Sequence, residues 1–248
     1  MERGNPTDLY LLGSGIKGVL QLTVETIQAL AISTEAHVLH DDPDVLEEIK
    51  NYCPKVFDLA CFYSLDQSRP DIYRAISKHL IERAREKPPI SFVVHGHPLF
   101  LVSASEYTVE LGRQQGVAVT VMSAVSSFDT LLTDIGVDFG YGLQLFDCST
   151  LLANSWSINS QVPTLIFQLA TLLNDRVVTE EPRVQILHPL VNYLKSYFPE
   201  FHRCLVVHSS VSVLRKAEII ETTIGKLHRD YRIDLWKRPT LYIPPYGT

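Results

Sequence analysis

The chain is short of the residues that usually announce a class. It holds only four cysteines in 248 residues, with no C-x-x-C pair and no Cys/His spacing of the zinc type. That argues against a structural zinc site. Cys53, Cys61, Cys148 and Cys204 are each flanked by apolar or strand-like residues, as expected of buried free thiols in a reducing compartment. No apolar run approaches the roughly 20 residues of a membrane helix, and residues 1–8 lack the apolar core of a signal peptide. An excess of basic charge is also missing: 22 Lys and Arg face 28 Asp and Glu, a formal net charge of -6. That argues against a nucleic-acid binder working through a broad basic surface, though not against a small basic pocket. There are no internal repeats, low-complexity tracts or charge blocks, no Walker loop, no Gly-x-Ser-x-Gly elbow and no His-Glu-x-x-His. The expectation is a soluble cytoplasmic protein with neither a membrane nor a nucleic acid as partner.

What is present is ordinary globular material, 46% hydrophobic and 20% charged. Apolar, β-branched runs at 9–12, 36–40, 56–59, 90–95 and 117–122 read as strands. Between them lie helical patterns at 20–32 (Leu20, Val24, Ile27, Leu30), 43–52, 70–87 with Pro70 in the first turn, and 104–115 before Gly116. A further helix opens over 126–133. Such alternation predicts an α/β fold with a mostly parallel sheet covered by helices on both faces. Right-handed crossovers then bring the loops at Gly13, Asp66, Gly96 and Ser126 to one rim. Three glycines in 136–142 mark a linker, and a second α/β unit follows, with strands at 143–147, 163–168, 203–208 and 240–243 and helices at 184–197 and 217–227. The domains read as 1–139 and 140–248.

Three stretches carry candidate chemistry. Gly13-x-Gly15-x-x-Gly18 has the letters of a dinucleotide fingerprint, but the acid expected about twenty residues on is poorly placed, since the second strand ends in His40 before Asp41-Asp42. A tight turn is the plainer reading. His95-Gly96-His97-Pro98 ends a buried strand where open α/β sheets place ligands. Its two imidazoles have no obvious third ligand, so no metal is expected. In the segment from Tyr63 to Tyr73, Arg69 and Tyr73 stand at i and i+4 on one helix face, and Tyr63 lies in the loop before them. A guanidinium beside a phenol favours the phenolate. By pattern alone this is a surface loop with a capping Arg and a half-buried Tyr.

In order along the chain, Leu9 to Gly15, Gly96-His97-Pro98 and Met122-Ser-Ala-Val-Ser126-Ser127 resemble the tetrapyrrole methylase superfamily of S-adenosylmethionine-dependent methyltransferases. Gly-His-Pro, the Tyr63/Arg69/Tyr73 spacing, Leu165-Ile-Phe-Gln168 and the closing Thr240-Leu-Tyr-Ile-Pro-Pro245 are similar, more narrowly, to the borosin peptide α-N-methyltransferases. The chain departs from that pattern in places. His95 stands where a Tyr is usual, Leu99 where Gly is usual, Ser123-Ala124 replace Pro-Gly, and His208 takes the place of a second-domain Tyr that contacts cofactor.

The resemblance implies two subdomains with a cofactor cleft between them, S-adenosylmethionine as methyl donor and S-adenosylhomocysteine as product. It implies Tyr63, Arg69, Tyr73 and His95 as the catalytic group. Gly13, Gly96, His97, Phe100, Ser126, Ser127, Gln168, His208 and Thr240 are the implied cofactor contacts. It further implies a homodimer in the biosynthesis of ribosomal peptides. Because the sequence stops three residues after Pro245, the expected substrate is a separate precursor peptide, in the split borosin manner. Two alternatives stay open: a methylase of the same superfamily acting on a tetrapyrrole or other small molecule, and a non-catalytic subunit that binds cofactor or peptide.

Overall fold

The computed structural model describes residues 7–247. Residues 1–6, part of the stretch read above for a signal peptide, and Thr248, the chain's last residue, lie outside the described residues. The chain divides into two compact units, the first ending at Thr130 and the second starting at Leu131.

The first unit is built on five parallel strands: β1 (Leu9–Gly13), β2 (Ala36–Leu39), β3 (Val56–Asp58), β4 (Ile90–Val94) and β5 (Val119–Val121), in the order β3-β2-β4-β1-β5. A parallel sheet is covered on both faces, which is why its central strands are apolar runs and not alternations. All five residues of β4 are buried, as are Leu9, Leu11 and Leu12 of β1. The helices are α1 (Val24–Ile32), α2 (Pro43–Lys50), α3 (Arg69–Glu86), α4 (Ser103–Gln115) and α5 (Ser127–Ile135), the last running across the division. Asp42 caps α2 and Ser68 caps α3 through the amide of Asp71.

One helix starts later than its apolar spacing predicts. Residues 18–21 form a 3₁₀ turn, and α1 begins only at Val24, because the Thr23 hydroxyl accepts the Thr26 amide at 3.0 Å and sets the N-cap there. The buried face is Thr26, Ala29 and Leu30, while Leu20 and Val24 are exposed.

The second unit holds a mixed sheet of β6 (Gln144–Asp147), β7 (Thr164–Phe167), β8 (Arg203–His208), β9 (Glu218–Thr223) and β10 (Thr240–Ile243), ordered β6-β7-β10-β8-β9. Only β6 and β7 run parallel. Ile166, Val206 and Leu241 from its strands share one core with Leu190, Val191 and Leu194 of α7 (His188–Leu194). The helix expected over 217–227 is wrong: Glu218–Thr223 is a strand, followed by a 3₁₀ turn over Ile224–Arg229. Its Ile-Ile-Glu-Thr-Thr run is mostly β-branched, and Ile220 and Thr222 are buried in alternation while the strand pairs with β8. The helix expected over 184–197 is a 3₁₀ turn (Val184–Leu187) leading into the shorter α7. The turn of helix α6 (Cys148–Asn154), capped by Asp147, was not anticipated.

Candidate functional site

Parallel strands end together, and five loops leave the carboxyl rim of the first sheet. From one edge to the other they follow β3, β2, β4, β1 and β5. The loop after β3 makes a 3₁₀ turn (Leu59–Phe62) capped by Asp58, whose carboxylate accepts the Ala60 amide at 2.7 Å. Tyr63 closes that turn, exposed on the surface at 37%. The chain then enters α3, whose first residue is Arg69 and whose second turn carries the half-buried Tyr73.

Three contacts hold α3 in place. Ser68 caps its start; the Ser77 hydroxyl lies 3.0 Å from the Ala104 carbonyl of α4; and Arg83 grips Glu35 through Nε (2.7 Å) and Nη2 (2.9 Å). The Arg83 guanidinium keeps the Glu35 carboxyl below the usual carboxylate range although burial pushes it the other way. Glu35 in turn accepts from His37 Nε2, and His37 Nδ1 lies 3.3 Å from His79 Nε2 of α3. The His79 ring packs against Phe62, the neighbour of Tyr63. Burial drives the His37 imidazole down to about 4.

The loop after β4 begins with His95. His95 Nδ1 lies 3.1 Å from His40 Nε2, and His40 Nδ1 accepts the Asp42 amide at 2.9 Å. Burial pushes His40 below the usual histidine range, against the pull of the Asp42 and Asp41 carboxylates. Gly96 has a φ of +74° and accepts the close approach of the first loop, its amide donating to Gly15 at 3.0 Å. His97 ties the turn, its Nδ1 accepting the Leu99 amide, and Phe100 packs on Phe128 with centroids 6.5 Å apart.

Gly13, at the end of β1, is where these loops meet. A Cβ built there would stand 2.0 Å from the Gly96 carbonyl oxygen and 2.5 Å from the Ala124 Cβ. The next loop is closed on itself: Gln21 Oε1 takes the amides of Ile16 (2.6 Å) and Lys17 (2.9 Å). Those two amides are not open to a phosphate, which agrees with the tight-turn reading of Gly13-x-Gly15-x-x-Gly18. After β5, the Ser126 amide and hydroxyl both donate to Asp129 Oδ2, at 2.6 and 2.7 Å. The Ser126 hydroxyl also accepts the Asp129 amide at 3.4 Å and so caps α5, whose first residue is Ser127.

In the second unit the three candidates lie at one end of the sheet, since β10 runs antiparallel to both β7 and β8. Gln168 follows β7, His208 ends β8, and Thr240 opens β10 opposite Val207. Gln168 sits at φ +64°, a left-handed conformation that costs about 1 kcal/mol. Its carbonyl is held by the Cys148 thiol (3.0 Å) and the Thr171 amide (3.1 Å). The buried His208 donates from Nε2 to the Asp234 carbonyl at 3.0 Å, which leaves a lone pair on Nδ1. That nitrogen is buried with no hydrogen-bond partner among the described residues. A buried acceptor left unsatisfied costs about 1–3 kcal/mol, so a ligand N–H would be welcome there.

The first unit therefore gathers Gly13, Tyr63, Arg69, Tyr73, His95, Gly96, His97, Phe100, Ser126 and Ser127 about one rim, and the second gathers Gln168, His208 and Thr240. Sequence reasoning missed His40 as part of this rim. Its signal was available: it is the polar residue that follows β2 at the same rim. Among the described residues no cluster of His, Cys, Asp and Glu could hold a metal ion, and no helix is long and apolar enough to cross a membrane.

The chain is similar to known proteins. A family model described as Tetrapyrrole (Corrin/Porphyrin) Methylases matches residues 8–227. A methyltransferase/ribosomally synthesized type I borosin cyclic peptide precursor of Cerrena unicolor is 25% identical over 96% of this chain and 58% of its own length. A type II borosin precursor of Phlebiopsis gigantea is 24% identical over 97% of this chain and 43% of its own. This chain thus spans about half the length of those relatives. Among solved structures, uroporphyrin-III C-methyltransferase from Thermus thermophilus, complexed with S-adenosylhomocysteine, aligns with a TM-score of 0.61 at 16% identity, covering 95% of this chain and 96% of that one.

Proposed function

This chain belongs to the tetrapyrrole methylase family, and from that premise we propose that it is an S-adenosylmethionine-dependent methyltransferase. We infer that it methylates backbone amide nitrogens of a ribosomal precursor peptide, supplied as a separate chain, and works as a cytoplasmic homodimer. The relatives named above, themselves called methyltransferases and borosin peptide precursors, support the reaction class and the peptide. One observation carries the reading most: Tyr63, Arg69, Tyr73 and His95 come from the rim ends of β3 and β4 and the start of the intervening helix.

The residues present fit the cofactor. His208 keeps a buried nitrogen in want of a donor, and the Gly13–Gly96 crossing lets main chain line the rim without side chains. By resemblance, the first unit's candidate contacts for it are Gly13, Gly96, His97, Phe100, Ser126 and Ser127; taken by itself, the second unit offers Gln168, His208 and Thr240. When bound, the group supplies an electrophilic sulfonium methyl.

A peptide nitrogen is a poor nucleophile because its lone pair is delocalised into the planar bond. Tyr63 removes the N–H proton as general base. Arg69 counters the negative charge that gathers on the amide oxygen. Tyr73 orients the pair, and His95 hydrogen-bonds where relatives carry a tyrosine. Holding nitrogen and methyl in line is then a matter of position.

The test mixes the chain with S-adenosylmethionine and a candidate precursor peptide and follows intact mass. The expected result is a ladder of methyl additions on the peptide, with Tyr63→Phe and Arg69→Ala each slowed about a hundredfold or more. Full rate in both variants would overturn the residue roles. Cofactor binding with no methyl gained by any peptide would favour a binding subunit.

A further inference from the structure

The two rim histidines carry information about proton placement that neither residue carries alone. The Asp42 amide N–H points at His40 Nδ1 at 2.9 Å, and a backbone amide can only donate. His40 Nδ1 must therefore hold its lone pair, and the ring proton of neutral His40 sits on Nε2. That proton faces His95 Nδ1 at 3.1 Å. His95 Nδ1 is then the acceptor, and neutral His95 carries its own proton on Nε2. The rings meet edge to face, with centroids 5.0 Å apart and planes inclined at 66°, an arrangement that aims one ring's edge at the other. His40 is itself half-buried behind the exposed His95.

We propose that His40 is a positioning residue that sets the tautomer of His95, so that the ring proton of neutral His95 sits on Nε2 and any hydrogen bond made there is one that His95 donates. A tyrosine in place of His95 would offer an O–H that donates or accepts. The histidine pair offers a donor only. The main chain of α2 is the origin of that polarity: Asp42 caps the helix with its side chain and spends its amide on His40. In terms of the proposed function, on which this last step rests, a His95 that carries its proton on Nε2 is a donor toward oxygen. His95 then assists Arg69 in holding developing negative charge and is not the base, leaving proton removal to Tyr63.

Ring nitrogen correlation spectra of the ¹⁵N-histidine-labelled full chain test the proposal without any substrate. Protonated and lone-pair nitrogens are separated by their shifts and by their couplings to the ring carbons' protons. The His95 signals are assigned by their loss in His95→Gln. The expected wild-type pattern is protonated Nε2 and bare Nδ1 for both His40 and His95. In His40→Leu, His95 should show a mixture of tautomers. In His40→Gln, whose amide can reproduce both the acceptor and the donor, the Nε2–H form should return. Unchanged signals from the other histidines report that each variant is folded. A protonated Nδ1 on His95 in the wild type would overturn the inference. So would an unaltered Nε2–H form in folded His40→Leu. Because the readout is a tautomer, a chain that shows it and methylates nothing refutes the proposed reaction and leaves the His40–His95 relation standing.

Discussion

Gly13 shows how a residue proposed as a cofactor contact can also be a joint. A methyl group there would meet the Gly96 carbonyl at 2.0 Å and Ala124 at 2.5 Å, and a backbone oxygen cannot swing aside as a side chain could. Gly13→Ala is expected to lower stability by about 3 kcal/mol or more, beyond the usual cost of overpacking. Chemical denaturation would read this as a midpoint shift without a change of slope; an unshifted midpoint would refute the joint. At this scale the sequence was half legible. Residue types and order singled out Tyr63, Arg69, Tyr73 and the Gly-His-Pro loop as candidates, because short motifs survive as letters. The use of each polar atom was not legible. Ser126 spends its amide and hydroxyl on Asp129, and Gln21 closes the first loop from a position that pattern reading assigned to a helix. Such local pairings depend on turn geometry a few residues long, for which no periodicity exists.

At the scale of elements, α3 is the best-determined part of the candidate site, and its fastening sets up a pH response. Buried Glu35 and His37 and half-buried His79 form a run from Arg83 toward the turn that precedes Tyr63. His37 is 1% exposed, and burial lowers its pKa from 6.5 to about 4. Above 6.5 it is neutral in folded and unfolded chains alike and adds no pH dependence. Below 6.5 the unfolded chain takes up a proton that the folded chain refuses until about 4, so stability falls as pH falls through that window. The full effect is about 3 kcal/mol. His37→Leu is expected to flatten the stability–pH curve between 6.5 and 4 by about one proton's slope, roughly 1.4 kcal/mol per pH unit. Urea midpoints at stepped pH values measure it, and parallel curves for wild type and variant would remove His37 from the account. The central strands of the first unit were legible because burial on both faces writes an unbroken apolar run. The strand Glu218–Thr223 was not. Short runs with charged ends satisfy a helical spacing as easily as an alternation, and only pairing with β8 decides.

At the scale of the whole chain, the parallel unit announces itself through its alternation of strand and helix, whereas the mixed sheet of the second unit joins residues far apart in sequence. β10 lies between β7 and β8, and no local signal places it there. The cysteines report on both units at once. Cys53 sits in the first unit's core with Val38 and Val93, while Cys148 and Cys204 share the second unit's core. Cys61, in the turn before Tyr63, is exposed, which corrects the expectation that all four thiols are buried. Burial raises the Cys53 thiol and pushes Cys148 and Cys204 up to about 12, so little thiolate forms at those sites and little reagent reaches them. Iodoacetamide on the native chain is therefore expected to add one label, at Cys61. With rising urea, Cys148 and Cys204 should become reactive together, because neither can be reached without opening the core they share. Cys53 should follow the first unit's own transition. Peptide mapping of labelled chains separates the three events. Labelling of Cys148 well before Cys204 would show that the second unit opens in pieces, and would contradict a single core behind Gln168, His208 and Thr240.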